Sequence, residues 1–102
     1  MKSDVKAKLS INKKEIDMNT FVEGLVAHIT IGAVNSLDGV DDVKTVDLNM
    51  DKGEIDIMVN KENIRVTPFP NDIIAATLLG LVSLLKGVED VEQMKIEVDA
   101  GQ

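Results

Sequence analysis

The sequence predicts an α+β fold, in which two helices cover one face of a largely antiparallel sheet to make a two-layer sandwich. Three observations predict it: an internal repeat, strands of alternating polarity, and two apolar segments with helix-capping residues. Residues 5–50 align without a gap with residues 53–98, and 12 of the 46 pairs are identical, against about three for unrelated segments. We therefore interpret residues 1–102 as a single domain made of two copies, 5–50 and 53–98, of one supersecondary unit.

Four segments have the alternation of polar and apolar residues that is typical of half-buried strands. Val5 to Ile11 places its apolar side chains on one face and Lys6, Lys8 and Ser10 on the other. One wet and one apolar face per strand favours an antiparallel sheet that helices cover on one side. The other three strands are Ile55 to Val59, Thr45 to Met50 and Gln93 to Val98.

Short polar segments after the first strand of each copy predict tight turns. Asn12-Lys13-Lys14-Glu15 and Asn60-Lys61-Glu62-Asn63 precede brief alternating runs. This pattern is typical of a hairpin with a short extra return strand, or of a tight turn leading into a helix. Asp51-Lys52-Gly53 joins the copies and suits a hairpin turn with glycine at positive φ.

Both helices have residues suited to their ends. Asn19 and Thr67 are good N-caps, and Pro68 falls at the first helical position. Gly39 and Gly87 suit the left-handed residue that ends a helix, which predicts about 18 residues per helix. Strand, helix and strand then follow one another twice, and a ferredoxin-like βαββαβ sandwich is the simplest closure.

The helices are apolar on nearly all sides, which predicts a contact with another chain. When α-helical geometry is projected from Leu25, one apolar side covers the sheet and includes Phe21, Val26 and Ile29. A second apolar stripe lies opposite, and we expect it to form a homodimer through the helix layer. Gly32 inside the first helix and its counterpart Gly80 indicate close backbone approach, although over-apolar helices and a tight sheet contact would also explain these features. The predicted interface residues are Ala27, Ile31, Val34, Ala75, Leu78, Leu79 and Val82.

Composition excludes several classes of partner. A net charge of −7 and only two aromatic residues disfavour nucleic acid, which needs basic and stacking side chains. The apolar, uncharged run Ile73 to Leu85 has 13 residues and is shorter than the roughly 18 that a membrane span needs. The N-terminal lysines precede no apolar run, so we expect neither a secretion signal nor an anchor. The absence of cysteine favours a reducing cytoplasm.

No catalytic residue, cofactor site or metal site is predicted. His28 is the only histidine, has Ala76 as its counterpart, and makes a poor metal site alone. Asp47 to Asp51 resembles the opening of a calcium loop, but Met58 stands where the bidentate glutamate belongs.

Two recurring polar pairs have a functional and a simpler explanation. Asp41-Asp42 and Glu89-Asp90 could form symmetric cation sites or be solvated loop carboxylates. Asn12-Lys13 and Asn60-Lys61 could contact a ligand, although turn chemistry accounts for the asparagines.

One set of turn, cap and core residues recurs in both copies. The first copy has it at Asn12, Lys13, Ile16, Asn19, Phe21, Val22, Gly32, Val34, Leu37, Gly39 and Val40, and the second at Asn60, Lys61, Phe69, Gly80, Val82, Leu85, Gly87 and Val88. In these residues nearly the whole chain, taken as two units, resembles a family of short uncharacterised archaeal proteins, although Pro68 and Pro70 depart from the pattern at the second helix start. The resemblance implies an archaeal cytoplasmic protein of unassigned function with no catalytic residue to transfer, and a natural or an engineered tandem would both fit.

These observations lead us to expect a non-enzymatic, self-associating interaction or structural module. The alternative is a regulatory domain that binds a small molecule at a subunit interface, an analogy of fold alone. An enzyme working through carboxylates such as Asp42 and Asp90 is the weakest of the three, because nothing pairs these acids with a base or nucleophile.

Overall fold

The computed structural model describes residues 5–37 and 39–100, which form an α+β fold of two helices and a six-stranded antiparallel sheet. Each element of the first half has a counterpart 48 residues later. The elements are β1 (Lys6–Ile11), β2 (Lys14–Glu15), α1 (Thr20–Asn35), β3 (Thr45–Asp51), β4 (Glu54–Val59), β5 (Glu62–Ile64), α2 (Pro68–Val82) and β6 (Gln93–Asp99).

The strand order is β2-β1-β6-β3-β4-β5. β3 and β6, the last strands of the two halves, pair with each other at the centre of the sheet, where Leu48 faces Ile96. On its other side each pairs with the first strand of the other half, β6 with β1 and β3 with β4. Reversing the order exchanges each strand with its counterpart, so an approximate twofold axis passes between β6 and β3. The ferredoxin-like closure is not confirmed, because the order and number of strands differ. Alternating polarity predicts which face of a strand is buried, but it does not predict which strand is the neighbour.

Tight turns occur where the sequence predicts them. Asn12 and Lys13 join β1 to β2 with φ of 49° and 70°, and Asn60 and Lys61 join β4 to β5 with φ of 51° and 70°. Positive φ at both central residues defines the type I′ turn, whose twist matches that of a two-stranded hairpin. The 52–53 turn between β3 and β4 has the same form, with φ of 53° and 87°.

The two helices begin at the predicted caps. The Asn19 side-chain oxygen accepts a hydrogen bond from Val22 N at 2.8 Å, which satisfies one of the free N–H groups of the first turn. Thr67 occupies the same position before α2 without a side-chain bond, and Pro68 follows at the first helical position. Pro68 costs little there, because its missing N–H would have had no partner within the helix.

Both helices end earlier than predicted, after 16 and 15 residues. Leu37 N donates to Val34 O at 3.0 Å and Leu85 N donates to Val82 O at 2.9 Å. Bonds of this i to i−3 spacing tighten the chain and end the α-helix, so the positive-φ glycines 39 and 87 lie in the loops beyond it. Within the described chain, neither helix combines the length and apolar character required to cross a membrane.

The core lies between the helices and one face of the sheet. Alternate side chains of the four long strands point into it, and the other face carries mainly polar and charged residues. The most completely buried side chains are Leu9, Val26, Thr30, Val34, Val46, Leu48, Ile57, Leu78, Val82, Met94 and Ile96.

The short return strands β2 and β5 cover only part of the outer edges of β1 and β4. The first turn of each helix covers a further part of these edges. Glu23 Oε2 accepts a hydrogen bond from Ala7 N at 3.0 Å, and its counterpart Asn71 accepts one from Ile55 N at 2.9 Å. Asn71 also donates to Gly53 O at 2.9 Å. Because unpaired strand edges invite pairing with other chains, these side chains protect the sheet from extension.

Candidate interaction surface

The seven residues predicted to form the homodimer interface lie on the side of each helix that faces the sheet. Five are buried in the chain's own core, and Ile31 and Leu79 are half-buried and pack against it. Side chains that the sheet already covers are not available to a second copy, so the assignment of helix faces is corrected. The residues concerned are Ala27, Ile31, Val34, Ala75, Leu78, Leu79 and Val82.

The assignment failed because apolar residues occur on both sides of each helix, so hydrophobic periodicity has no preferred direction. His28 is a better reference, because it is polar and exposed in the middle of α1. Val26 and Thr30 each lie two residues from it, about 200° around the helix, and both are fully buried. Projection from His28 would have identified the buried side.

The opposite side of the helix layer is apolar and faces solvent. Phe21 and Phe69, the only two phenylalanines, occupy equivalent first-turn positions and are 74% and 73% exposed. Ile73 is 49% exposed, and Leu84, just beyond α2, is 85% exposed. We call this side the outer helix face and define it by Phe21, Leu25, His28, Gly32, Phe69, Ile73, Ala76 and Gly80, of which only Leu25 is half-buried and the others are exposed.

Charge is almost absent from the two helices. α1 contains Glu23 and α2 contains Asp72 as their only charged residues, whereas 28% of the chain is charged. Glu23 is occupied at the strand edge by Ala7 N. Depletion of charge together with exposed aromatic residues distinguishes the centre of protein interfaces from other surface.

Gly32 and Gly80 lie on the outer helix face at equivalent positions inside the helices. Apart from its neighbours and the backbone of its own helix, a Cβ atom added at either would have no atom within 4 Å. The close backbone approach that the sequence predicts at these glycines therefore does not occur within the described chain. Each glycine costs about 1 kcal/mol relative to alanine without an internal contact that requires it.

An open groove of about 510 Å³ lies between the helices. It joins the C-terminal half of α1 to the N-terminal half of α2, which shows that the helices run antiparallel. Its lining is mostly apolar, with hydroxyl groups from Ser36 and Thr77. The lining residues are Ile29, Gly32, Ala33, Ser36, Leu37, Phe69, Pro70, Ile73, Ile74 and Thr77.

The asparagines of the two type I′ turns bind backbone rather than leaving their polar groups free for a ligand. Asn12 Oδ1 accepts hydrogen bonds from the N–H groups of Glu92 and Gln93, both at 2.9 Å. Asn60 Oδ1 accepts from Lys44 N at 2.7 Å and from Thr45 N at 3.0 Å. Each turn thus holds the start of the central strand from the other half.

The acidic pairs 41–42 and 89–90 do not come together. They precede β3 and β6, which are antiparallel, and Thr45 pairs with Asp99 at the far end of β6 from Gln93. Six residues of strand separate the two ends, about 20 Å, which excludes one shared cation site. Asp47 and Asp51 belong to β3 itself, so they do not form a calcium loop. Over residues 5–37 and 39–100, no cluster of three or more acidic or histidine side chains could hold a metal ion.

Comparisons with known proteins identify no relative. No protein-family model matches this chain, and neither a curated protein nor a solved structure matches it.

Proposed function

We propose that this protein is a non-enzymatic, self-associating interaction module, and that the outer helix face is its homodimer interface. The observation that carries the proposal is the exposure of Phe21 and Phe69 at equivalent positions on a helix layer almost without charge. An isologous dimer uses one self-complementary patch on both subunits. The sequence predicts a homodimer through the helix layer, and the proposal keeps that layer. The proposed interface residues differ from the seven predicted ones, because they lie on the opposite side of each helix.

The two phenylalanines alone supply about half of the area that such a contact needs. A phenylalanine buries about 200 Å², so two that are about three-quarters exposed offer about 300 Å² per subunit. Two subunits would bury about 600 Å² of phenyl surface, a large part of the 1,200 Å² or more typical of stable interfaces. At about 25 cal/mol per Å² this contributes about 15 kcal/mol, at the top of the roughly 4–15 kcal/mol that association costs.

The distribution of charge supports association through this side. Each chain carries a net charge of −7, so two chains repel one another wherever charged surfaces meet. The helix-free face of the sheet carries acidic side chains such as Asp47, Asp56 and Glu97. The outer helix face permits close contact without burying any of them.

Light scattering on a sizing column over a hundredfold concentration range tests the proposal. The expected mass is about 22 kDa, twice the 11.1 kDa of the chain, falling toward 11.1 kDa on dilution. Phe21→Ser combined with Phe69→Ser should give a folded monomer throughout. Met58→Ser is the matched control, because Met58 is an exposed apolar side chain on β4 and its loss should leave the dimer unchanged. A wild-type chain that stays monomeric at every concentration would refute the proposal.

A second candidate function, binding of a small apolar ligand at the subunit seam, is favoured by the groove. Its volume of about 510 Å³ falls within the range of ligand sites. Ligands that bind the folded state raise the melting temperature with concentration. A panel of fatty acids should therefore raise the melting temperature if this candidate is correct, and Ala33→Trp, which fills the groove, should abolish the rise.

A further inference from the structure

The two ends of the helix layer differ in shape. Because α1 and α2 are antiparallel, the groove occupies one end, where α1 finishes and α2 starts. The other end contains the start of α1 and the finish of α2, and it presents Phe21 and Leu84, which are 74% and 85% exposed. The groove end also carries an exposed phenyl ring, that of Phe69, but it has Ser36 at the position equivalent to Leu84. The groove end is therefore concave, and the other end carries the larger protruding side chains.

We propose that a second copy docks on the outer helix face turned end for end, so that the end carrying Phe21 and Leu84 in each subunit fills the groove of the other. This inference rests on the proposed function, which requires a dimer, and adds how the subunits are oriented. The twofold axis then lies in the plane between the two helix layers and runs across the helices. One rotation makes both contacts at once, as an isologous interface requires.

The alternative orientation has its twofold axis along the helices and places groove against groove. Two open volumes of about 510 Å³ would then face each other, and Phe21 and Leu84 of one subunit would meet the same protruding side chains of the other. Protein interfaces pack as densely as interiors, and voids lined by apolar atoms lose their contacts. The end-for-end orientation instead places an exposed phenyl ring where an apolar groove has free volume.

The partner is a second copy because the chain supplies both complementary parts. The protruding side chains of Phe21 and Leu84 are apolar, and the groove lining contains no charged side chain. The phenyl ring of Phe21 and the side chain of Leu84 from each subunit add buried area at both ends of the dimer interface. The contact thus extends over the whole helix layer rather than the Phe69 end alone.

Cysteine crosslinking tests the orientation, because the natural chain contains no cysteine. Thr20 and Ser36 lie at opposite ends of α1, are both exposed, and are about 24 Å apart at 1.5 Å per residue. In the end-for-end dimer, residue 36 of one subunit approaches residue 20 of its partner. Thr20→Cys combined with Ser36→Cys should therefore form a covalent dimer with a short bis-maleimide, whereas neither single variant should.

The outcomes separate the orientation from the proposed function. A covalent dimer from Ser36→Cys alone would show that the groove ends face each other, which would overturn the inference. The absence of covalent dimer from the double variant, when light scattering still gives about 22 kDa, would overturn it as well. A mass of 11.1 kDa for the wild type at all concentrations would instead refute the proposed function itself.

Discussion

Asn12 and Gln93, 81 residues apart, are joined by two hydrogen bonds that run in opposite directions. Asn12 N donates to Gln93 O at 2.8 Å, and Asn12 Oδ1 accepts from Gln93 N at 2.9 Å. Asn12 Nδ2 also donates to Asp90 O at 3.0 Å. A turn residue in the first half thus fixes where the central strand of the second half begins. The contact adjoins the end of the β1–β6 ladder, where Ile11 pairs with Met94.

Replacement of Asn12 should separate the side-chain bonds from the backbone requirement. Asn12→Gly keeps the positive φ of 49° but removes the side-chain bonds, at about 1–2 kcal/mol of unfolding free energy. Asn12→Ala adds the roughly 1–2 kcal/mol cost of a left-handed alanine, for a total of about 2–4 kcal/mol. Urea denaturation measures both values.

Lys13→Gly is the matched control, because Lys13 has φ of 70° in the same turn. Glycine tolerates that conformation, so this variant should be as stable as the wild type or up to about 1 kcal/mol more stable. If Asn12→Gly also kept full stability, the side-chain bonds would not hold β6.

Loss of the Glu23 side chain should expose the outer edge of β1 at Ala7. Glu23→Ala leaves Ala7 N without its acceptor and should cost about 1 kcal/mol. Glu23→Gln should retain the bond, since the amide of Asn71 performs the same role in the second half. Urea denaturation gives the stability, and amide hydrogen exchange at Ala7 should rise only in the alanine variant. Equal exchange in both variants would contradict the role of Glu23.

Local features of this fold could be predicted from the sequence, because their causes are local. A residue pair such as Asn12-Lys13 determines a turn by its tolerance of positive φ, and the cap at Asn19 needs only an oxygen placed before the helix. The alternation of polarity likewise predicts the buried side of every long strand.

The strand order and the buried helix side depend on contacts between distant residues. The local pattern of a single sequence does not indicate which distant residues form these contacts. Nothing in β6 indicates that it pairs with both β1 and β3. In α1, Phe21 is more hydrophobic than Thr30, yet Phe21 is exposed and Thr30 is buried. The proposed interface was missed for that reason, because Phe21 was assigned to the sheet side.

The buried hydroxyl of Thr30 should reduce stability. Thr30 is fully buried, and its Oγ1 has no hydrogen-bond partner among the described residues. Its counterpart in α2 is Leu78, an apolar core residue. Thr30→Val has nearly the same shape without the hydroxyl, and removing an unsatisfied polar atom should stabilise the chain by about 1 kcal/mol.

Thr77→Val is the control for Thr30→Val, since Thr77 is exposed on α2 and its substitution should change the unfolding free energy by less than about 0.5 kcal/mol. Thermal and urea denaturation give both values. A less stable Thr30→Val variant would indicate that the hydroxyl is hydrogen-bonded in solution.

Alanine at Gly32 and Gly80 should affect folding and self-association in opposite directions. Each change raises helix propensity by about 1 kcal/mol, and the added Cβ meets no atom within 4 Å beyond its neighbours and the backbone of its own helix. At concentrations where the protein is monomeric, Gly32→Ala with Gly80→Ala should therefore raise the unfolding free energy by about 2 kcal/mol. If the helices of a second copy approach closest at these glycines, the same variant should weaken the dimer by about tenfold or more, the effect of roughly 1.4 kcal/mol.

Sedimentation equilibrium measures the dissociation constant of the dimer for this variant. Ala76→Ser is the control, because it changes the same face without replacing a glycine. A variant that is more stable and equally dimeric would place the closest helix approach elsewhere on the outer helix face.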